Sequence, residues 1–166
     1  YQNIRVSGIK AINLRENDEL LACRLTTGDQ DVIIGASNGK AIRFHEQTAR
    51  SMGRVSSGVR GILLNPDDHV VGFTIVNEET NQILVVTENG YGKRTKLVDD
   101  DGEDVYRVTN RGGKGVKTLN LTEKTGSLIS INGVTDEDDL MIINKSGLTI
   151  RMEISDLRVM GRATQG

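Results

Sequence analysis

"VIIGASNG" (32–39), "ILVVTENG" (83–90) and "LMIINKSG" (140–147) are three versions of one phrase: a short apolar run, polar residues, then glycine. Their glycines, Gly39, Gly90 and Gly147, are spaced 51 and 57 apart. A second phrase recurs in step with them as "MGRVSSGV" (52–59), "NRGGKGV" (110–116) and "MGRATQG" (160–166), ending on Gly58, Gly115 and Gly166. Gly8, in "RVSGIKAI", stands 50 residues before Gly58, so the period runs through the whole chain. The middle copy is longer by the acidic insert "DDDGED" at 99–104. A fixed period of this length marks an array of similar units that bury their faces against one another.

Within a period the pattern is that of short strands. For the first period they fall at roughly 9–14, 20–26, 31–36 and 40–44, each alternating or β-branched and each bounded by Gly, Asn or Asp. No window carries a helical stripe longer than about two turns, and "HEQTARSM" (45–52) makes a helical turn at most. Four antiparallel strands per unit predict an all-β fold of propeller-like blades. The chain is read as one domain of about three repeats, near 8–57, 58–114 and 115–166. Three periods make a short arc, and the chain opens on Tyr1. It is therefore expected to be an excerpt of a longer protein that supplies further blades.

Composition narrows the function. The 166 residues carry a net charge of −2, which excludes a generally basic nucleic-acid binder and makes any such role local. Nineteen glycines, one proline and no tryptophan suit many tight turns. The single cysteine, Cys23, forbids an internal disulfide and fits a reducing, cytoplasmic setting. No apolar run approaches the ~18 residues of a membrane span, and no signal peptide is visible. Asn120-Leu121-Thr122 is a sequon without any other secretory feature.

The charges are in register with the repeat. Four residues after each first-phrase glycine stands Arg43, Arg94 or Arg151. Four before each second-phrase glycine stands Arg54, Arg111 or Arg162. Four before those stands Arg50, Arg107 or Arg158. In the partial first copy Ile4 takes the place of an arginine. Segments 39–61, 90–117 and 145–162 hold 16 of the 21 cations and 8 of the 23 acids, a net +8, and the rest of the chain carries −10. Equivalent positions in stacked blades share one side, so this pattern predicts a basic stripe and an acidic opposite side. A basic stripe on a curved surface is the footprint of duplex DNA. The alternative for each arginine is a structural one, stacked on a neighbouring blade or paired with a carboxylate. Arg50, Arg107 and Arg158 suit that role best because they lie within the turn-forming segment.

Other chemistries fail on spacing. "RVTNRGGKGV" (107–116) suggests a phosphate loop, but Val108 and Gly115 stand where the Walker pattern needs glycine and Ser or Thr. "HEQTA" at His45 lacks a second metal-binding histidine, and His45, His69 and Cys23 share no ligand spacing. Two histidines leave little room for general-base catalysis, and two Phe with three Tyr make no stacking platform for single strands. What remains is a glycine turn that brings the backbone close to something, with Arg111 and Lys114 beside it.

"RGGKG" (111–115), "NGYGKRT" (89–95), "NGKAIRF" (38–44), "GVRGI" (58–62), "ENDEL" (16–20) and the twin "MGR" turns resemble the C-terminal domain of the DNA gyrase A subunit, across essentially the whole chain. The resemblance implies a β-pinwheel, a propeller-like ring whose blades exchange a strand, with DNA bent around a basic outer rim in support of ATP-driven negative supercoiling. It implies sequence-independent contacts to DNA from Lys40, Arg43, Arg54, Arg60, Lys93, Arg94, Arg111, Lys114, Lys117, Arg151 and Arg162. It also implies three partners: duplex DNA and, in a heterotetramer, the gyrase B subunit with the N-terminal part of the A subunit. No membrane is implied. No cofactor is expected in this stretch, ATP and Mg being used elsewhere in such a parent. The family's signature box reads Gln-Arg-Arg-Gly-Gly-Lys-Gly; here Thr109 and Asn110 replace its first two positions, so 109–115 is read as a degenerate copy, with the full box expected upstream. Tyr1, Tyr91 and Tyr106 lack the context of a DNA-cleaving tyrosine, and the stretch is expected to be non-catalytic. The related domain of the topoisomerase IV A subunit, and a protein-interaction propeller that does not bind DNA, are the competing readings.

Overall fold

The computed structural model describes residue 3 and residues 5–166; Tyr1, Gln2 and Ile4 lie outside the described residues. Nine strands form among them, and helix is limited to the 3-10 turns Glu46–Thr48 and Ile154–Asp156. The strands are β1 (Asp31–Ala36), β2 (Lys40–His45), β3 (Val70–Val76), β4 (Gln82–Thr87), β5 (Gly92–Lys96), β6 (Val116–Lys117), β7 (Leu128–Val134), β8 (Asp139–Ile143) and β9 (Thr149–Glu153). No helix among the described residues is long and apolar enough to cross a membrane.

Each first phrase is the front half of a hairpin: β1–β2, β4–β5 and β8–β9. The turn closes through the marker glycine, whose N–H donates to the carbonyl three residues back, at 3.0 Å in all three copies (Gly39 to Ala36, Gly90 to Thr87, Gly147 to Asn144). All seven marker glycines adopt positive φ, between +70° and +98°. The repeat read in the sequence is thus a repeat of backbone conformation, one that only glycine adopts cheaply.

The hairpins are not the blades. The first sheet runs β3-β1-β2-β6, the second β5-β4-β7, and the third is β8-β9 alone. The strand that borders each of the first two hairpins on its leading edge comes from the next period: β3 on β1, β7 on β4. Strand exchange between successive units is therefore built into the chain, and each sheet cuts across the sequence period. The strands expected over 9–14 and 20–26 do not form; both stretches are irregular and largely exposed. Their residue pattern suits a strand, but a strand needs a partner. Segment 20–26 sits where β3 and β7 sit in later periods, and no hairpin lies one period earlier among the described residues.

Alternation along the strands stacks the sheets. Ile33 of β1 with Ile83 and Val85 of β4 enters one core, joined by Leu128 and Ile131 of β7 and by Tyr106. Val32 and Ile34 face the opposite way with Ile42, Phe44 and Ile62. Leu84 packs with Val134, Leu140 and Ile154 against the third hairpin. Ile131 fills a slot over the cross-strand pair Gly35 and Gly72; a Cβ at Gly35 would lie 2.7 Å from its Cγ2.

Candidate nucleic-acid interface

The second-phrase segment seals the trailing edge of the previous hairpin. From Arg107 to Lys117 the chain runs along β2: Thr109 N–H donates to Arg43 O at 2.8 Å, and β6 pairs with Lys40 and Ala41. Gly115 makes this possible. Its φ is +70°, and a Cβ there would meet the Ala41 carbonyl oxygen at 2.5 Å. On its other side the loop is held by residues 61–63, through Gly112 N–H to Gly61 O (2.6 Å) and Leu63 N–H to Gly113 O (2.8 Å). The bare stretch "RGGKG" therefore lets three backbones lie side by side.

That clamp gathers cations from distant positions. The Arg111 guanidinium donates to Thr48 O (3.2 Å) and Arg60 O (2.7 Å). Lys40 lies opposite Lys117 across the strand pair. Arg162, from the following second-phrase turn, donates to Lys117 O (3.1 Å) and lies over the Tyr106 ring at 6.0 Å. Arg54, Arg60, Lys114 and Lys117 are exposed, and Lys40, Arg111 and Arg162 half-buried. None of these seven forms an ion pair with a carboxylate among the described residues. Asp68, bonded to Asn38 and Asn65, is near enough to Lys40 to feel its charge.

Four of the residues predicted to touch phosphate do other work. Arg43 bonds Asp31, Asp104 and the Tyr106 carbonyl. Arg94 bonds Asp136, Gln82 and the carbonyls of Ser155 and Leu157. Tyr106 and Leu157 are equivalent positions, so the arginine at this register ties its hairpin to the backbone of the next period. The side chains of Arg43 and Arg94 are 13% and 8% exposed, and four of the five N–H donors of each are engaged within the protein. Arg151 is 70% exposed but paired with Asp139, and no later period offers it a carbonyl among the described residues. The partners had a legible signal: Asp31, Gln82 and Asp139 each precede the arginine by 12 residues, the diagonal of the hairpin. Arg107 and Arg158, assigned by their position to structure, have exposed side chains instead, as has Arg50.

Lys93 is the fourth. It is fully buried, and its ammonium donates to the carbonyls of Gly161 and Arg162 (2.5 and 2.6 Å) and to Thr164 Oγ1 (2.9 Å). It grips the turn that presents Arg162 and cannot reach DNA. Burial, with the Arg162 charge beside it, lowers its pKa from 10.5 to about 8, while the three accepting oxygens work the other way. Between about pH 8 and the ordinary lysine value of 10.5 the unfolded chain binds more protons than the folded one, so stability contributed by this site rises with pH there. The melting temperature of the wild type relative to Lys93→Met should therefore climb across that window in circular-dichroism melts. A pH-independent difference would mean that the site titrates as an ordinary lysine.

The acids collect away from the clamp. Asp31 and Asp139 open β1 and β8, at the ends of the strands remote from the hairpin turns, and Asp99, Asp101 and Glu103 occupy the exposed insert. The result is a run of cations without carboxylate partners from Arg60 and Lys40 through the 111–117 turn to Arg162, while Arg43, Arg94 and Arg151 are held by carboxylates.

Comparison with known proteins agrees with this architecture. A protein-family model described as "DNA gyrase C-terminal domain, beta-propeller" matches residues 5–27, 30–77, 81–134 and 138–166. The A subunit of DNA gyrase from Staphylococcus epidermidis is 46% identical across the whole chain, and its counterpart from Staphylococcus aureus 47%. The chain spans 18% of the length of each. Among solved structures, a DNA gyrase A C-terminal domain superposes with a TM-score of 0.84 at 25% identity, covering 96% of this chain and 53% of that one. The C-terminal domain of a DNA topoisomerase IV superposes with a TM-score of 0.90 at 24% identity, covering 100% and 50%. Strand exchange, glycine turns in register and a match across all of its periods have one conclusion: the chain belongs to the DNA gyrase C-terminal domain family and is a stretch of β-propeller from it.

Proposed function

We propose that this chain binds duplex DNA without regard to sequence, along the flank formed by Lys40, Arg54, Arg60, Arg111, Lys114, Lys117 and Arg162. The observation that carries the reading is the abutment of two successive glycine turns, with Arg162 bonded to Lys117 O, so that cations without carboxylate partners continue from one period to the next. Each phosphate neutralised releases counterions, and that gain must offset a bending cost on the order of 1–6 kcal/mol for a 20–30 base-pair stretch. Several periods contribute together because no single turn supplies enough contacts. In the parent protein the module would wrap DNA for negative supercoiling by a type IIA topoisomerase, in the cytoplasm, together with the ATP-hydrolysing B subunit and the N-terminal part of the A subunit.

The test uses exposed residues only, so that folding is left alone. Arg60→Glu, Lys114→Glu and Lys117→Glu combined should weaken binding to a random duplex at least ~100-fold and flatten the salt dependence by about three units of log–log slope. Fluorescence anisotropy at two salt concentrations reads both. Unchanged affinity and slope would hand the flank back to a protein-interaction role. The triple reversal of Arg43, Arg94 and Arg151 does not serve, because it removes structural bonds.

A further inference from the structure

We infer that Lys93 is a positioning residue for DNA binding: its ammonium pins the 161–164 turn so that Arg162 continues the run of cations from the neighbouring 111–117 turn, and loss of its proton releases that turn. The inference rests on the DNA reading above. It adds a residue that never meets DNA and a dependence on pH that the exposed cations lack.

Lys93 is out of keeping with its register. It stands three residues after Gly90, where the first and third periods carry Ile42 and Ile150. Met160 N–H donates to Arg94 O as Thr109 N–H donates to Arg43 O, both at 2.8 Å, so the second-phrase segment of the third period lies on β5 as that of the second lies on β2. Ile42 gives the earlier turn an apolar floor, its Cδ1 3.5 Å from where a Cβ of Gly113 would stand. Lys93, opposite Val85 of β4 and 0% exposed, puts a charge in that place. Burying a charge is costly unless its donors are used. Here Gly161 O, Arg162 O and Thr164 Oγ1 take the three ammonium hydrogens.

The turn needs this fastening more than its counterpart does. The 111–115 turn is tied to residues 61–63 by two backbone bonds, Gly112 N–H to Gly61 O and Leu63 N–H to Gly113 O. In the later turn the second has its equivalent, Asn120 N–H to Thr164 O at 2.8 Å, and the first has none among the described residues. Arg111 donates to two carbonyls, those of Thr48 and Arg60, whereas Arg162 donates to that of Lys117 and otherwise rests over Tyr106. Without Lys93 the guanidinium of Arg162 drifts from Lys117 O, and the run of cations breaks between the two turns.

Protonation acts through the same bonds. An ammonium has three N–H donors and a neutral amine two, so deprotonation strands one of the three acceptors. Burial, and then the Arg162 charge, bring this pKa to about 8. Arg162 is the charged group that acts on Lys93; apolar Val85 faces it across the strand pair, and no carboxylate pairs with it among the described residues. The Tyr106 hydroxyl, pushed up by burial and bonded to Thr118 Oγ1, stays protonated over this range. The charged form is the one that grips, so its contribution to DNA affinity is complete below about pH 8 and lost as the pH rises through that value.

Fluorescence anisotropy with a random duplex tests this on the wild-type chain and on Lys93→Ile, which installs the residue of the other two periods. Circular-dichroism melts establish that both are folded at the assay temperature. At about pH 7, Lys93→Ile should bind about tenfold more weakly, with a log–log salt slope smaller by about one. From about pH 7 to about pH 9.5 the wild-type affinity should fall towards that of Lys93→Ile, whose own affinity stays level. The wild-type pH profile needs no substitution. A level wild-type profile, or a Lys93→Ile that matches the wild type in affinity and slope, would overturn the inference and leave the DNA reading standing. No binding by the wild type at low salt would overturn both.

Discussion

Replacing Arg94 with methionine should lower stability by about 3 kcal/mol or more, because buried Gln82 and the carbonyls of Ser155 and Leu157 lose their donor together. At about 2–4 °C per kcal/mol for a chain of this size, the melting temperature falls by roughly 6–12 °C. Arg151→Met, at the same register, should leave the melting temperature almost unmoved, since Arg151 makes one solvent-exposed ion pair. Neither substitution should alter the salt dependence of DNA binding at a temperature where the protein is folded. Equal losses of stability at the two positions, or a flattened salt slope for Arg94→Met, would return this register to the DNA surface.

Gly115→Ala is the second large effect. A Cβ there would sit 2.5 Å from Ala41 O and 2.8 Å from its carbonyl carbon, both backbone atoms of β2 that cannot step aside. The φ of +70° adds strain of about 1–2 kcal/mol for any residue with a Cβ. The segment 111–117 should peel from β2, taking Arg111, Lys114 and Lys117 out of line, so stability and DNA affinity fall together. Gly147→Ala is the control, with φ +84° and nothing within 4 Å, and should show the conformational penalty alone. Hydrogen exchange at Thr109 and Thr118, whose N–H groups bond Arg43 and Gly39, would report the detachment directly. Protection unchanged in Gly115→Ala would mean that the turn tolerates a side chain and that the close approach is not what places the cations.

Much of this was legible in the chain. The glycines that recur every fifty-odd residues are hairpin and crossing turns, and the apolar runs before them are the central strands. The 20–26 segment has the residue pattern of a strand and forms none, because hydrogen-bond partners are not a property of the segment itself. The charged positions divide in the same way. Arg111 and Arg162 lie at the clamp, whereas Arg43, Arg94 and Lys93 are turned into the protein by acceptors elsewhere in the chain.

The order of turns and strands, and with it a stacked all-β array, is set by the sequence alone, since positive φ at glycine and alternation along a strand are local requirements. Which cations remain available to a polyanion is decided by the tertiary structure. Asp31 stands 12 residues from Arg43, Asp136 stands 42 from Arg94, and Gly161 stands 68 from Lys93. A charge is neutralised by whatever lies within a few ångströms of it, and only folding brings those groups there.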